Sequence, residues 1–214
     1  MTPGNVTPDN PIVFLVDDDP RVREALCSLI SSVGFRVAAF GSAAEFLGFE
    51  KPDAPSCLVL DLQLPDVNGL ELQRELAGRE APPIVFITGH GDIPSSVRAM
   101  KAGAIEFLSK PFGERELLQA IDAALAVDRT ARQKRSELAE LRKSYSLLTP
   151  REREVLPFVV AGFANKETAA ELGTSEITIG VHRGQIMRKM SARSLAELVR
   201  MADKLSIAPS IRPA

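Results

Sequence analysis

The sequence predicts an α/β chain: a doubly wound, five-stranded parallel sheet followed by a small all-α domain. Three observations carry this. Between Pro11 and Val127, five short apolar runs alternate with five helical patterns, the order that βα units produce. Four of those runs end in Asp, Thr or Lys, and open parallel sheets collect their chemistry at the C-terminal ends of strands. Beyond Leu148 the strand pattern stops, and two helical patterns meet at a single turn residue, Gly173, as in a helix-turn-helix.

Ile12 to Val16 is a continuous apolar run, which reads as a strand buried on both faces, and Asp17, Asp18 and Asp19 follow it. Pro20 opens a helix with Val22, Leu26, Leu29, Ile30 and Val33, closed by Gly34. Phe35 to Phe40 is a short strand, and Ser42 caps a helix carrying Phe46 and Leu47. Cys57 to Leu60 is the third strand, with Asp61 immediately after it and Pro65 beyond. Asn68 starts a helix with Leu70, Leu72 and Leu76. Ile84 to Ile87 is the fourth strand, ending in Thr88-Gly89-His90-Gly91, and a helix from Asp92 to Ala102 stops at Gly103. Ile105 to Leu108 is the fifth strand, ending in Ser109-Lys110-Pro111, and a helix over about 113–127 closes the set.

Residues 128–146 lack Gly and Pro and are rich in charge, with Leu138, Leu141, Tyr145 and Leu148 three or four apart. This spacing fits a charged helical linker with a thin apolar stripe; the composition equally fits a solvated connector. The last domain, 147–207, then reads as four helices. Thr149 and Pro150 start the first, Pro157 should kink it, and Gly162 ends it. Asn165 caps Lys166 to Leu172, with Ala169, Ala170 and Leu172 inward. Thr174 or Ser175 caps the third through Met190, whose apolar residues are Ile177, Val181, Ile186 and Met190. Ser194 caps the fourth, with Leu195, Leu198, Val199 and Met201.

Composition narrows the function. No apolar run approaches the roughly 20 residues of a membrane span. Met1 to Pro11 lacks the basic and apolar regions of a signal peptide. Cys27 and Cys57 lie in apolar segments without metal-ligand spacing, which points to a reducing cytoplasm. The net charge of −2 conceals a split: from Thr149 onward 10 Lys+Arg face 7 Asp+Glu. An acidic first part and a basic second part suggest a cation site followed by a polyanion partner. No GxGxxG or Walker-type glycine pattern appears, which argues against a nucleotide-binding domain.

The strand ends define a first site. Asp17, Asp18, Asp61, Thr88 and Lys110 fall at one edge of one sheet. Clustered carboxylates repel one another and call for a divalent cation, and an all-oxygen site beside a phosphoryl group suits magnesium. Asp61 is then a nucleophile of the aspartyl-phosphate kind, with Thr88 and Lys110 on the other phosphoryl oxygens. A magnesium phosphatase with an Asp-x-Asp motif would need a second Asp as general acid, and Gln63 occupies that position.

Val16-Asp17-Asp18, Asp61 with Pro65, Thr88-Gly89 and Lys110-Pro111 resemble the flavodoxin-like receiver domain of bacterial two-component response regulators, over residues 11–127. The resemblance implies Asp61 as phosphoacceptor for a sensor histidine kinase. It implies Asp18, Asp61 and the Gln63 carbonyl as magnesium ligands, with Asp17 helping through water. It further implies a cis Lys110-Pro111 peptide and Thr88 and Phe107 as the switch pair, though periodicity alone makes Phe107 a core residue. The stretch from Leu148 to Leu205 resembles the LuxR/NarL-type effector domain, so that the whole chain looks like the FixJ subfamily. Thr88-Gly89-His90-Gly91-Asp92 and Ala99 to Ala104 are typical of that group. By the same resemblance, Val97 and Lys101 lie on the surface that pairs two receivers into a homodimer, and double-stranded promoter DNA is the second partner.

One departure is plain. Gly180 and Gly184 stand in the recognition helix where base-contacting side chains are usual, each costing about 1 kcal/mol of helix stability relative to Ala. Lys166, Thr178, Val181, His182, Arg183, Arg188 and Lys189 remain for groove and phosphates, with His182 as a packing or phosphate residue. The alternative is a receiver-linked DNA-binding protein controlled by dimerisation without phosphorylation; the intact acid, Thr and Lys set argues against it.

Overall fold

The structure is a computed structural model and describes residues 10–89 and 93–210. The first unit is a five-stranded sheet, all parallel, in the order β2-β1-β3-β4-β5. Its strands are β1 (Ile12–Val16), β2 (Arg36–Phe40), β3 (Ser56–Asp61), β4 (Ile84–Thr88) and β5 (Glu106–Ser109). The helices between them are α1 (Pro20–Ser32), α2 (Ala43–Gly48), α3 (Gly69–Leu76), α4 (Ile93–Lys101) and α5 (Glu114–Ser146). The expected start of α4 at Asp92, and His90 and Gly91 with it, lie outside the described residues.

The central strands β1, β3 and β4 are buried along their whole length, because side chains alternate into two cores. Phe14, Leu58, Leu60 and Phe86 face α2, α3 and α4 through Phe46, Leu72 and Ala99. Val13, Leu15, Val59 and Ile87 face α1 and α5 through Ile30, Leu117, Ile121 and Leu125. This two-sided burial is what turns the strands into continuous apolar runs. Phe107 is half-buried at the rim of the first core, its ring 6.0 Å from Phe86, rather than inside it as periodicity suggests. Val33 is exposed at the end of α1, so the apolar stripe of that helix stops at Ile30.

The chain divides into compact units at Arg132 and Gln133, inside α5. Residues 128–146 are neither a loop nor a separate helix: α5 runs through them without a break. Asp128 is buried on the first unit, where its carboxylate accepts a 2.9 Å hydrogen bond from Ser56 N, and Arg132 pairs with Asp53. Leu141 and Tyr145 instead pack on the second unit's core, in which Leu148 is buried.

The second unit adds α6 (Pro150–Val160), α7 (Asn165–Glu171), α8 (Glu176–Lys189) and α9 (Leu195–Lys204). Val155, Leu156, Ala169, Ile179, Ile186, Met190 and Leu198 form its core. Helix α6 continues through Pro157, where the sequence suggested an interruption. Asn165 is the first residue of α7 rather than its cap; Ala164 holds that position, and its N–H donates to the Glu167 carboxylate at 2.7 Å. Ala170 is exposed, and Thr168 is buried in its place.

Candidate functional site

Order reverses in this sheet between β1 and β3, and the ends of those two strands bring Asp17, Asp18 and Asp61 together. One carboxylate oxygen from each lies within 4.8 Å of the others. Each acid of the Asp17-Asp18-Asp19 run has a different task. Asp17 is fully buried, and its Oδ1 accepts from Asp19 N at 2.9 Å. Asp18 is exposed at the mouth of the cluster. Asp19 caps α1 by accepting from Arg21 N at 2.8 Å.

The Lys110 ammonium lies between two acids, donating to Asp17 Oδ2 and Asp61 Oδ2 at 2.6 Å each. Its backbone N–H donates to Thr88 O at 2.7 Å, which joins the ends of β4 and β5, and the Lys110-Pro111 peptide is cis. Burial pushes the Asp17 carboxyl above the usual carboxylate range, against the hydrogen bond and charge of Lys110. Burial also opposes the Lys110 ammonium, yet its bonds to Asp17 and Asp61 outweigh this and hold its pKa above the ordinary lysine value. These directions look opposed for one ion pair. They agree once the counting is done: one ammonium faces two carboxylates, and Asp17 is the more buried of the two. A divalent ion suits the remaining acid excess, because three hard carboxylate groups converge on one point.

Three features that hold this pocket were not apparent from strand-end reasoning. Arg23 on α1 donates from Nη1 to Asp17 O at 2.6 Å and Asp18 O at 2.8 Å, tying down the backbone of both acids. Asp66 accepts from Ala43 N and Ala44 N at 3.3 and 2.9 Å, fastening the loop after Asp61 to α2. Gly69 lets α3 approach the end of β3, since a Cβ there would stand 2.7 Å from Asp61 O and 3.0 Å from the Phe86 ring. Within the loop, Gln63 N donates to Asp61 Oδ1 at 3.0 Å, and Gln63 pairs with Asn68 in an isolated bridge. Only the Asn68-Gly69 pair carries a signal in the sequence. Arg23 and Asp66 act across the fold and give none.

On α8 the structure separates the expected DNA residues into two groups. Val181 and Arg188 are exposed, and Lys166 is exposed on α7; Thr178 and His182 are half-buried, with Thr178 Oγ1 2.8 Å from Ser175 Oγ. Arg183 and Lys189 turn back into the unit. Arg183 donates to Phe163 O at 3.0 Å, and Lys189 pairs at 2.7 Å with the buried Glu152. Glu152 also accepts from Thr149 N at 2.7 Å as part of the α6 capping box. Burial works against the Glu152 carboxylate, but the Lys189 and Thr149 bonds hold its pKa below the usual glutamate value.

A parallel sheet with an acidic, lysine-bridged pocket at its switch point, in one chain with a helix-turn-helix unit, defines a two-part regulator class. Comparison with known proteins agrees. Residues 13–122 match the response regulator receiver domain, and residues 146–202 match the bacterial regulatory proteins of the luxR family. The chain belongs to the two-component response regulators that join a receiver to a luxR-type DNA-binding domain. Nodulation protein W of Bradyrhizobium diazoefficiens is 52% identical over 197 residues, spanning 92% of this chain and 87% of its own. Transcriptional regulatory protein FixJ of Azorhizobium caulinodans is 44% identical over 206 residues, spanning 95% and 97%. A solved structure of the response regulator StyR, 49% identical, matches with a TM-score of 0.81 over 91% of this chain and 99% of its own. No helix among the described residues is long and apolar enough to cross a membrane.

Proposed function

We propose that Asp61 accepts a phosphoryl group from a sensor histidine kinase, and that the aspartyl phosphate draws two chains together on promoter DNA. The observation that carries this is the convergence of Asp17, Asp18 and Asp61 within 4.8 Å, with Lys110 bonded across two of them. An Asp61 oxygen forms a bond to phosphorus while the bond from phosphorus to the kinase imidazole breaks, and the electron pair stays on the ring nitrogen. No proton has to leave Asp61, so the missing general acid at Gln63 is no obstacle.

Asp17, Asp18, Asp61 and the Gln63 carbonyl would hold magnesium, which when bound supplies charge to neutralise the transferring group. Lys110 moves its hydrogen bond from the Asp61 carboxylate to a phosphoryl oxygen, and Thr88 contributes its hydroxyl to another. Thr88 closes the end of β4, and the half-buried Phe107 follows inward at β5. Phe107 has no hydroxyl, so its part in the switch is steric. The surface of α4 changes with them. Val97 and Lys101 are exposed there, and Ile93 and Met100 extend Val97 into an apolar stripe, which suits pairing with a second copy. The luxR-type unit then binds DNA through α8, with Val181 and Arg188 exposed, Thr178 and His182 half-buried beside them, and Lys166 exposed on α7. Arg183 and Lys189 brace that unit first. A kinase-coupled DNA-binding chain of this kind works in the cytoplasm.

Incubation with magnesium and a small phosphodonor, followed by intact mass, tests the first step. The protein should gain one phosphoryl group and Asp61→Asn none. A variant that is still labelled overturns the assignment.

A further inference from the structure

The outward face of α8 is more apolar than a DNA-reading surface is expected to be. Ile177, Val181, Gly184 and Arg188 follow one another at steps of four, three and four residues, which keeps them on one stripe of a helix turning about 100° per residue. Ile177 is 82% exposed and Val181 57% exposed, while Ile179, Ile186 and Met190 on the opposite face are buried. Two large aliphatic side chains therefore stand in solvent on the helix that meets DNA. A Cβ on Gly184 would touch nothing within 4 Å, and one on Gly180 would touch only Asn165 Nδ2 at 3.5 Å. Neither glycine is required by crowding, and both leave the aliphatic pair standing clear of its neighbours.

Donors able to read guanine are scarce along the same stripe. Arg183 is bonded to Phe163 O, and Lys189 to Glu152. Arg188 is bonded to Gln185 and sits at the far end of the helix. Recognition helices of this motif meet base edges mainly with their N-terminal residues, and here the exposed ones are the acid Glu176 and the aliphatic Ile177 and Val181. Apolar side chains have one feature to read in the major groove, the 5-methyl group of thymine. Lys166 and Arg188 flank the pair and match the phosphates on either side.

We infer that Ile177 and Val181 select thymine methyl groups, so that each half-site is specified by A·T pairs rather than by arginine–guanine contacts. This rests on the DNA-binding reading of the luxR-type unit. It names what that unit recognises.

Replacing thymine by deoxyuridine removes only the methyl group and tests the inference directly. Full-length protein treated with magnesium and a phosphodonor is used to enrich duplexes from a random pool. Each thymine of an enriched duplex is then replaced singly. One or two replacements in each half-site should weaken binding about fourfold, the worth of one buried methyl. Ile177→Ala and Val181→Ala, both surface changes, should each abolish the thymine-to-uracil difference at one position and leave other positions unchanged. Equal affinity for every uracil-substituted duplex overturns the inference. So does a methyl effect that survives both variants. A pool that yields no enriched duplex overturns the DNA-binding reading itself.

Discussion

Arg23 is the residue whose position says most about how the acidic pocket is built. A cation beside a metal site would ordinarily be unwelcome, since it repels the ion. Here its Nη1 group is used on the carbonyls of Asp17 and Asp18, so it fixes the backbone that aims the carboxylates. Charge and positioning predict opposite signs. If Arg23 acts only as a charge, Arg23→Ala should tighten magnesium binding. If it positions the acids, the variant should bind magnesium about tenfold more weakly, the usual cost of losing a partner that orients a ligand. We expect the weaker binding, measured by titration calorimetry at fixed ionic strength; tighter binding would show that the two carbonyl contacts are incidental.

At the scale of elements, the second unit is clamped by a part-buried ion pair between Glu152 and Lys189. Glu152 closes the capping box of α6 and reaches Lys189 on α8, so a single carboxylate joins two of its helices. Its pKa is depressed despite burial, and the sign follows. The contribution is fully present above the unfolded value near 4.5 and is lost as pH falls through the lower folded value. Glu152→Gln should flatten the acid limb of the pH–stability profile. Glu152→Ala should cost about 1–2 kcal/mol at neutral pH, from the lost cap and the lost charge-assisted bond. Thermal melts from pH 3 to 7, roughly spanning the carboxylate range, check both. An acid limb unchanged in the Gln variant would place the acid-labile group elsewhere.

Elements were also where the sequence spoke most clearly. Buried strands such as Val13 to Val16 and Cys57 to Leu60 carry their own signal, because both faces are covered. Strand ends are legible too, because parallel topology puts Asp17, Asp18, Asp61, Thr88 and Lys110 at one edge, and the structure brings the three acids and Lys110 together there. Orientation within helices was harder to read. Ile177, Val181, Ile186 and Met190 are all apolar by type, and type alone does not separate the buried Ile186 and Met190 from the exposed Ile177 and Val181, nor reveal that α8 buries Ile179. For Arg183 and Lys189, read as groove or phosphate residues, nothing local reveals the bonds to Phe163 O and Glu152. Asp128 gives no local signal either: it reads as the first charge of the linker, and Ser56 N, which donates to it, lies 72 residues away in sequence.

For the whole molecule, the continuous α5 matters most. It contributes residues to both units, with Asp128 and Arg132 fixed to the first and Leu141 and Tyr145 packed on the second. Under the proposed function the first unit switches at α4, where Ile93, Val97 and Met100 stand exposed. Pairing two chains through that stripe presents two recognition helices, which would meet two half-sites about one helical turn apart. It also doubles the phosphate contacts, so binding should become tighter and its dependence on salt about twice as steep.

The central claim is that phosphorylation at Asp61 acts through pairing. Sedimentation of the full-length chain with magnesium, with and without phosphodonor, tests it most directly. Wild-type protein should pass from monomer to dimer when phosphorylated, while Asp61→Asn stays unchanged under the same conditions. A chain that is fully phosphorylated by mass and still sediments as a monomer would contradict it.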